Sequence, residues 1–189
     1  MPTSDGELAR QALAGSQQAY QTLVARYATA AVNMAARLVR DRTLAEDLAQ
    51  DAFVRAFARL KTYDPERRFS AWFFQILRNI VIDHLRRRRV AAISLDELQA
   101  GGYPEPPSED PESSPEADAE RKELGRALEA GLQRIRIKYR EAIVLRYQQG
   151  LAVDEIAGVL NLPEGTVKTY LHRGRKELAA ILSAAGWKP

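Results

Sequence analysis

One stretch of the chain combines residue types that serve two different purposes. The sequence RFSAWFFQILRNIVIDHLRRRR, residues 68–89, has four aromatic residues within six positions and ends in four consecutive arginines. Arginines bind phosphate groups, whereas aromatic residues belong to a core or to a stacking surface. A helix buried only for stability has no need of the arginine run. A helix that only binds phosphate has no need of so many aromatics.

A second stretch, VDEIAGVLNLPEGTVKTYLHRGRKEL at residues 153–178, has the spacing of a helix-turn-helix. Ala157 is small enough for two helices to cross closely, and Asn161 tolerates the left-handed backbone of the turn. Val167 and Leu171 would face the first helix. We predict that the second helix lies in a DNA major groove as a recognition helix.

Burial of that small core fixes the outer face of the second helix, which is polar and basic. Its central residues can reach base edges, whereas its later arginines and lysine suit phosphates. Backbone amides at its N-terminus also favour a phosphate. The alternative is a solvated basic helix without a ligand. The candidate duplex-binding residues are Thr166, Lys168, Thr169, Tyr170, His172, Arg173, Arg175 and Lys176.

Few residues suit an enzyme. The chain has no cysteine, two histidines (His84 and His172) and no phosphate-binding glycine loop. The lack of cysteine excludes disulfides and thiolate zinc sites. We therefore predict no catalytic residue, no metal and no cofactor. Because no signal peptide or long apolar run is visible, we expect a cytoplasmic protein without membrane insertion.

Charge divides the chain into three blocks. Residues 1–89 hold 15 Lys/Arg and 9 Asp/Glu, a net charge of +6, and residues 120–189 hold 13 and 8, a net of +5. Residues 90–119 hold 8 acidic residues and no basic one. Five of the nine prolines lie in this middle block, so it buries too little apolar surface to offset its ordering entropy. We predict a flexible acidic linker at residues 91–115.

Both flanking blocks show helical periodicity, and no alternating apolar pattern predicts a strand. Thr43, with Glu46 three residues later, has the pattern of a capping box, and Ser70 is a candidate N-cap for the helix of residues 68–89. We predict an all-α protein. Two small helical domains, residues 1–90 and 116–189, would be joined by the linker.

Three segments resemble conserved regions two and four of bacterial sigma factors, in order and spacing. They are AEDLAQDAFVRAFARL, RFSAWFFQILRNIVIDHLRRRR and YREAIVLRYQQGLAVDEIAGVLNLPEGTVKTYLHRGRKEL. The small two-domain form is similar to the extracytoplasmic-function group. The resemblance implies a dissociable subunit of bacterial RNA polymerase that recognises the −10 and −35 promoter elements and opens DNA. It also implies a stress or envelope response and an anti-sigma factor as a further partner.

The resemblance further implies that the N-terminal domain docks on a coiled coil of the largest polymerase subunit. The matching positions are Asp47, Gln50, Asp51 and Phe53. An acidic helix face in an otherwise basic block suits a basic protein partner better than DNA. Without the resemblance, Asp47 and Asp51 would read as charges that solvate a helix.

Recognition of the melted promoter strand is assigned to the same domain by the resemblance. Asn79 and Asp83 lie four residues apart on one helix ridge, where an amide and a carboxylate can hydrogen-bond an exposed base. The loop YDPERRFS would wall a pocket for that base, and the arginines would hold phosphates. Asp83 paired with Arg86 or Arg87 is the alternative. The candidate strand-binding residues are Phe69, Ser70, Trp72, Gln75, Arg78, Asn79, Asp83, Arg86 and Arg87.

Two departures from the family pattern lie in the C-terminal domain. Ala152 occupies a position where the family has a Ser or Thr N-cap, which weakens the helix unless Asp154 substitutes. Tyr170 replaces a common arginine on the recognition helix. A regulator that binds only duplex DNA, with the N-terminal bundle used for dimerisation or sensing, is the alternative to a sigma factor. Such a regulator needs neither Asn79 with Asp83 nor an acidic docking face.

Overall fold

The computed structural model describes residues 3–92 and 115–187, with side-chain environments for residues 3–88 and 120–187. Four helices and one 3₁₀ turn form the N-terminal unit, residues 3–92. They are α1 (Asp5–Leu13), α2 (Gln17–Val39), α3 (Arg42–Ala58), the 3₁₀ turn Leu60–Thr62 and α4 (Phe69–Ala92). Most of the predicted acidic linker lies outside the described residues.

Four more helices form the C-terminal unit, residues 115–187. They are α5 (Pro115–Arg134), α6 (Ile137–Tyr147), α7 (Val153–Leu160) and α8 (Glu164–Ala184). Within the two described ranges there is no strand, which confirms the all-α class. Helix α4 continues to Ala92 and α5 begins at Pro115, so helix extends slightly into both ends of the segment predicted as linker.

Short polar side chains start the first three helices. Ser4, Ser16 and Asp41 each accept a hydrogen bond from a backbone N–H one turn ahead, at 3.2, 3.3 and 3.0 Å. These bonds satisfy donors that a helix start leaves unpaired. The capping box predicted at Thr43 is wrong, because Asp41 precedes it and caps α3. Ser70 lies within α4 and is not its cap, since α4 already begins at Phe69.

An aromatic cluster fills the core of the N-terminal unit. Phe53 stacks on Phe73 with ring centroids 4.6 Å apart, and Phe69, Phe73 and Phe74 are almost completely buried. Tyr27 of α2 lies 5.3 Å from the Phe69 ring. Full burial of one such ring stabilises a fold by about 1.5–3 kcal/mol. The aromatic end of residues 68–89 therefore serves mainly to anchor α4.

The helix-turn-helix of the C-terminal unit is formed by α7 and α8. Asn161 adopts the predicted left-handed conformation (φ 53°) between them, and Val167 and Leu171 are buried. Ala152 has no side-chain acceptor, but its backbone N–H donates to the Glu155 carboxylate at 2.7 Å. Glu155, and not the predicted Asp154, therefore compensates at the start of α7.

The two units pack against each other. Helix α7 lies against α4, and α5 and α6 lie against α2. One side of α4 faces the core made with α2 and α3, and another side faces the C-terminal unit. This double packing determines which residues of α4 remain open to a ligand.

Candidate nucleic-acid interface

Asn79 and Asp83 are exposed on α4, as expected for residues that would contact a base. Asp83 forms an ion pair with Arg86 at 3.2 Å, the alternative pairing considered from the sequence. The Asp83 side chain remains 53% exposed, so this pair is solvated and weak. An exposed pair of this kind can exchange for a base at little cost.

Two of the candidate strand-binding residues are buried. Phe69 is 1% exposed and Ser70 is 6% exposed, so neither presents its side chain to a ligand. The prediction that Phe69 and Ser70 contact the strand is therefore wrong. Both residues belong to the core, because α4 begins at Phe69 and its first turn packs on α2. Trp72 is half-buried and lies 5.4 Å from the Tyr63 ring.

A cleft of about 480 Å³ lies beside the loop of residues 63–70. Residues 4–6 and Arg10 of the N-terminal segment close its other side, together with Tyr27. Tyr27 donates a hydrogen bond to Asp5, and burial together with this bond raises the pKa of Tyr27. The loop lines this cleft, but Asn79 and Asp83 do not, so the cleft is not the predicted pocket for a base beside those two residues.

Gln75 and Arg78 are occupied by the C-terminal unit. The Gln75 amide donates to the Gly158 carbonyl at 3.0 Å, and Arg78 Nε donates to Glu141 at 2.8 Å. Trp72 and Gln75 also line a groove of about 650 Å³ between α4 and α7. Three of the predicted strand-binding residues therefore lie at the contact between the two units.

Glu141 is the most buried carboxylate of this contact, with 5% of its surface exposed. Burial raises the pKa of its carboxyl above the ordinary value, and the Arg78 guanidinium offsets that rise only in part. For the Glu141 carboxylate, the effect of burial thus outweighs the attraction of the neighbouring Arg78 guanidinium.

The outer face of α8 is open. Arg175, Lys176 and His172 are exposed, and Lys168 makes only a long contact of 3.8 Å with Glu164, one turn away. The remaining candidates of this face are more constrained. Thr169 donates to the Gly165 carbonyl, and Thr166 is half-buried. Arg173 lies near Tyr139 and lowers the pKa of its hydroxyl, and Tyr170 packs edge-on against the Tyr139 ring.

The residues of the predicted docking face on α3 differ in their exposure. Asp47 and Gln50 are exposed, and Asp51 forms a 2.8 Å ion pair with Arg55. Phe53 is 7% exposed, so its assignment to the docking face is corrected: it stacks within the core.

Val54 is an exposed apolar residue that the sequence reading missed. Its relative exposure is 60%, and it lies three, four and seven residues after Asp51, Gln50 and Asp47. Residues at these spacings share one helix face. The same spacing could have placed Val54 on this face, although a single exposed apolar residue is common on protein surfaces and does not by itself mark a contact.

Within residues 3–92 and 115–187 there is no cluster of three residues suited to a metal ion. The described helices also include none with the length and apolar character that crossing a membrane requires.

Comparison with known proteins identifies both units. Residues 23–90 match the family model Sigma-70 region 2, and residues 125–178 match Sigma-70, region 4. The N-terminal match covers α4, and the C-terminal match covers the helix-turn-helix. A regulator with an unrelated sensing bundle would not give the first of these matches.

Similar proteins extend over nearly the whole chain. An extracytoplasmic-function (ECF) sigma factor of Bacillus subtilis, SigW, is 33% identical over 89% of this chain and 91% of its own. The sigma factor CnrH of Cupriavidus metallidurans is 37% identical, covering 96% of this chain and 95% of its own. A solved structure of CnrH with the cytosolic domain of CnrY has a TM-score of 0.69 at 31% identity, covering 96% of this chain and 99% of that one. The chain therefore belongs to the ECF group of the sigma-70 family of RNA polymerase sigma factors.

Proposed function

We propose that this chain binds bacterial core RNA polymerase, recognises the −10 and −35 promoter elements and opens the DNA to start transcription. The observation that carries the proposal is the pairing of two nucleic-acid surfaces with different chemistry on one chain. Helix α8 offers an exposed basic face to duplex DNA, and α4 offers Asn79 and Asp83 to an exposed base.

Recognition of the −35 duplex is supported by the open face of α8. Lys168, His172 and Lys176 lie one turn apart along it, and all three are exposed. A helix presented in this way fits a major groove, where its side chains can reach base edges. Arg175 and Lys176 extend the positive charge toward the adjacent phosphates.

Recognition of the melted −10 strand is supported by α4. Asn79 and Asp83 can pair with the hydrogen-bonding edge of a base that has left the duplex, and Arg86 and Arg87 are exposed for phosphates. Opening then needs no ATP, because the protein binds the separated strand better than the paired one. The contacts must supply the few kcal/mol that extraction of a base costs.

Docking on polymerase is supported by the face of α3 that holds Asp47, Gln50, Asp51 and Val54. Acidic and polar groups around an exposed valine suit a basic partner surface with an apolar contact at its centre. The carboxylates of Asp47 and Asp51 repel DNA phosphates, so this face suits a protein partner better than DNA.

Control by an anti-sigma factor in a stress or envelope response is the regulatory part of the proposal. It is supported by CnrH, which has been solved with the cytosolic domain of CnrY. That relative is similar over nearly the full length of this chain.

The proposal is tested by run-off transcription with purified core polymerase and promoter fragments recovered from the source bacterium. We expect the chain to confer specific initiation that core enzyme alone lacks. The matched control is Asp47→Lys. It reverses the charge at one exposed position of the docking face and should leave the fold and the DNA surfaces intact. Absence of any binding to core enzyme by the unmodified chain would refute the proposed function.

A further inference from the structure

A lysine and two tyrosines meet where α6 lies against α8. The Nζ atom of Lys138, near the start of α6, lies 5.3 Å from the ring centroid of Tyr139 and 5.4 Å from that of Tyr170. The two rings pack edge-on, with centroids 5.4 Å apart. A cation within about 6 Å of an aromatic ring centroid is attracted to the negative face of the ring. One ammonium group is therefore held by two rings that belong to different helices.

Lys138 is placed against the electrostatics of its own helix. The first turn of α6 has no acidic residue, and its N-cap residue, Arg136, makes no side-chain hydrogen bond to the helix start. Anions stabilise this end of a helix, because its unpaired N–H groups carry partial positive charge. The sequence thus puts two cations where helix stability favours anions, which indicates a role outside the stability of α6.

The two cations at the start of α6 have different surroundings. Arg136 lies 3.7 Å from the Glu177 carboxylate of α8, which offsets its charge. Lys138 is exposed, and within the described residues its partners are the two rings and no carboxylate. The charge of the Lys138 ammonium group is therefore not neutralised by the protein.

This lysine lies beside the face of α8 that is proposed to bind duplex DNA. Tyr170 follows Thr166 by four residues and precedes Arg173 by three, so these residues form one edge of that face. The exposed Arg173 lowers the pKa of the Tyr139 hydroxyl, and Lys138 adds to this effect. Two cations from different helices thus converge on the same edge.

We propose that Lys138 of α6 binds a backbone phosphate of the duplex held by α8, and that Tyr170 is a positioning residue that holds the Lys138 ammonium group beside Arg173. The inference rests on the proposed recognition of duplex DNA by α8 and adds to it a contact from outside the helix-turn-helix. Tyr170, one of the candidate duplex-binding residues, then acts through Lys138. A phosphate contact of this kind fixes the register of the protein on the duplex without reading its sequence.

The two rings give this arrangement a physical advantage. A free lysine side chain loses rotamer freedom when it binds a phosphate, which lowers affinity. A side chain that is already held over two rings loses less of that freedom. Because the ammonium group has three donors, it can stay on the rings and donate to a phosphate oxygen from its exposed side.

The test measures binding of the full-length chain to a fluorescein-labelled duplex by anisotropy at several salt concentrations. The chain itself selects this duplex from a randomised pool, so the probe does not presuppose a promoter. Each phosphate contact contributes about 0.9 to the slope of log affinity against log salt. Lys138→Ala should lower the slope by about this amount and the affinity at about 0.15 M salt by about fivefold.

Lys122→Ala is the matched control, because it removes the same charge from an exposed position of α5 in the same unit. It separates a phosphate contact from the general attraction of a positive chain for DNA. Lys138→Arg keeps the charge and should preserve the slope. If Lys138→Ala and Lys122→Ala give the same slope and the same affinity, the phosphate contact is overturned.

The positioning role of Tyr170 is tested by a double-mutant cycle. Tyr170→Leu removes the ring and should lower affinity by about threefold, whereas Tyr170→Phe keeps the ring and should bind as the natural chain does. If Tyr170 acts through Lys138, Tyr170→Leu has no further effect in a Lys138→Ala background. Thermal unfolding checks that each variant folds, and Tyr170→Met replaces Tyr170→Leu if the latter does not.

Equal loss of affinity from Tyr170→Leu with and without Lys138 would overturn the positioning role, because Tyr170 would then contact DNA by itself. Lys168→Ala, on the proposed face of α8, keeps this inference separate from the proposed function. If Lys168→Ala weakens binding and Lys138→Ala does not, α8 still binds the duplex and only this inference is lost. If the natural chain selects no duplex, the proposed duplex recognition fails as well.

Discussion

Helices α4 and α8 both carry basic residues suited to nucleic acid, yet the structure treats them differently. On α8 the side chains of His172, Arg175 and Lys176 are exposed. On α4, Gln75 and Arg78 are engaged by the C-terminal unit, and only the residues further along are open. The difference arises because α8 buries one side, whereas α4 is packed on two.

This comparison teaches that a binding motif and an available binding surface are different properties. On α8, Lys168, His172, Arg175 and Lys176 all lie on the exposed face, where they are accessible to duplex DNA. The motif on α4 is divided: Asn79 and Asp83 are free, whereas Arg78 must exchange the Glu141 carboxylate for another acceptor. We expect substitutions in α4 and α8 to show this difference between an exposed binding residue and one that is already engaged by another side chain.

The largest effect is expected from Gly174→Val, which should disable α8 without touching α4. A Cβ atom at Gly174 would lie 2.8 Å from Ile143 Cδ1 and 3.1 Å from Tyr139 Cβ. Such overpacking costs about 3 kcal/mol. Denaturant titration should show a less stable C-terminal unit, and binding to −35 duplex should be lost.

Gly158→Ala is the control for that substitution, since a Cβ there meets nothing within 4 Å. Alanine favours helix over glycine by about 1 kcal/mol, so this variant should be as stable as the natural chain or more so. Equal stability of Gly174→Val and Gly158→Ala would show that α8 does not pack on α6 as described.

Asn79→Ala should have the next largest effect and should sharpen the assignment of α4. Loss of hydrogen bonds to an extruded base costs about 2 kcal/mol, or about 30-fold in open-complex formation. Permanganate footprinting of the melted region measures this loss. Binding to core polymerase should be unchanged, and unimpaired promoter opening would remove Asn79 from the strand-binding residues.

Lys168→Ala should weaken binding to −35 duplex by about tenfold, a smaller effect on the open face of α8. If Lys168 binds phosphate, the slope of log affinity against log salt should also fall by about 1. Titrations at several salt concentrations measure both quantities. Lys122→Ala, an exposed lysine of α5, is the control; identical curves for the two variants would exclude a contact by Lys168.

The smallest change in stability is expected from substitution of Glu141, which contacts α4 through Arg78. Because burial raises the folded-state pKa of Glu141, the folded chain binds more protons than the unfolded chain between the two pKa values. The resulting stabilisation is complete below the unfolded pKa of about 4.3 and is lost as pH rises through the folded value.

Glu141→Gln keeps the shape of the side chain and removes its charge, so it should stabilise the chain slightly at pH 7, because the desolvation of the charged carboxylate is no longer required. That advantage should shrink as the pH approaches 4. Thermal unfolding across this pH range measures the difference. A destabilised Glu141→Gln at neutral pH would mean that attraction to Arg78 exceeds the desolvation of Glu141.

Local patterns predicted the helix-turn-helix because its rules act over a few residues. Asn161 takes the left-handed turn, and Val167 and Leu171 are buried, as their spacing required. The binding roles predicted for Phe53 and Phe69 were wrong, because burial of these rings depends on contacts between helices that are far apart in the sequence. Each lies in a motif tied to binding, but only packing between distant helices shows that their rings belong to the core.

The sequence by itself determined the all-α class, the positions of the helices and the two basic helices proposed to bind nucleic acid, because helical periodicity, turn chemistry and charge are local properties. Only the tertiary structure decided which side chains are available. The ion pairs of Arg37, Arg68 and Arg78 join residues that lie 63 to 92 positions apart in the sequence. Their formation depends on how the two units meet, which no periodicity within either unit encodes.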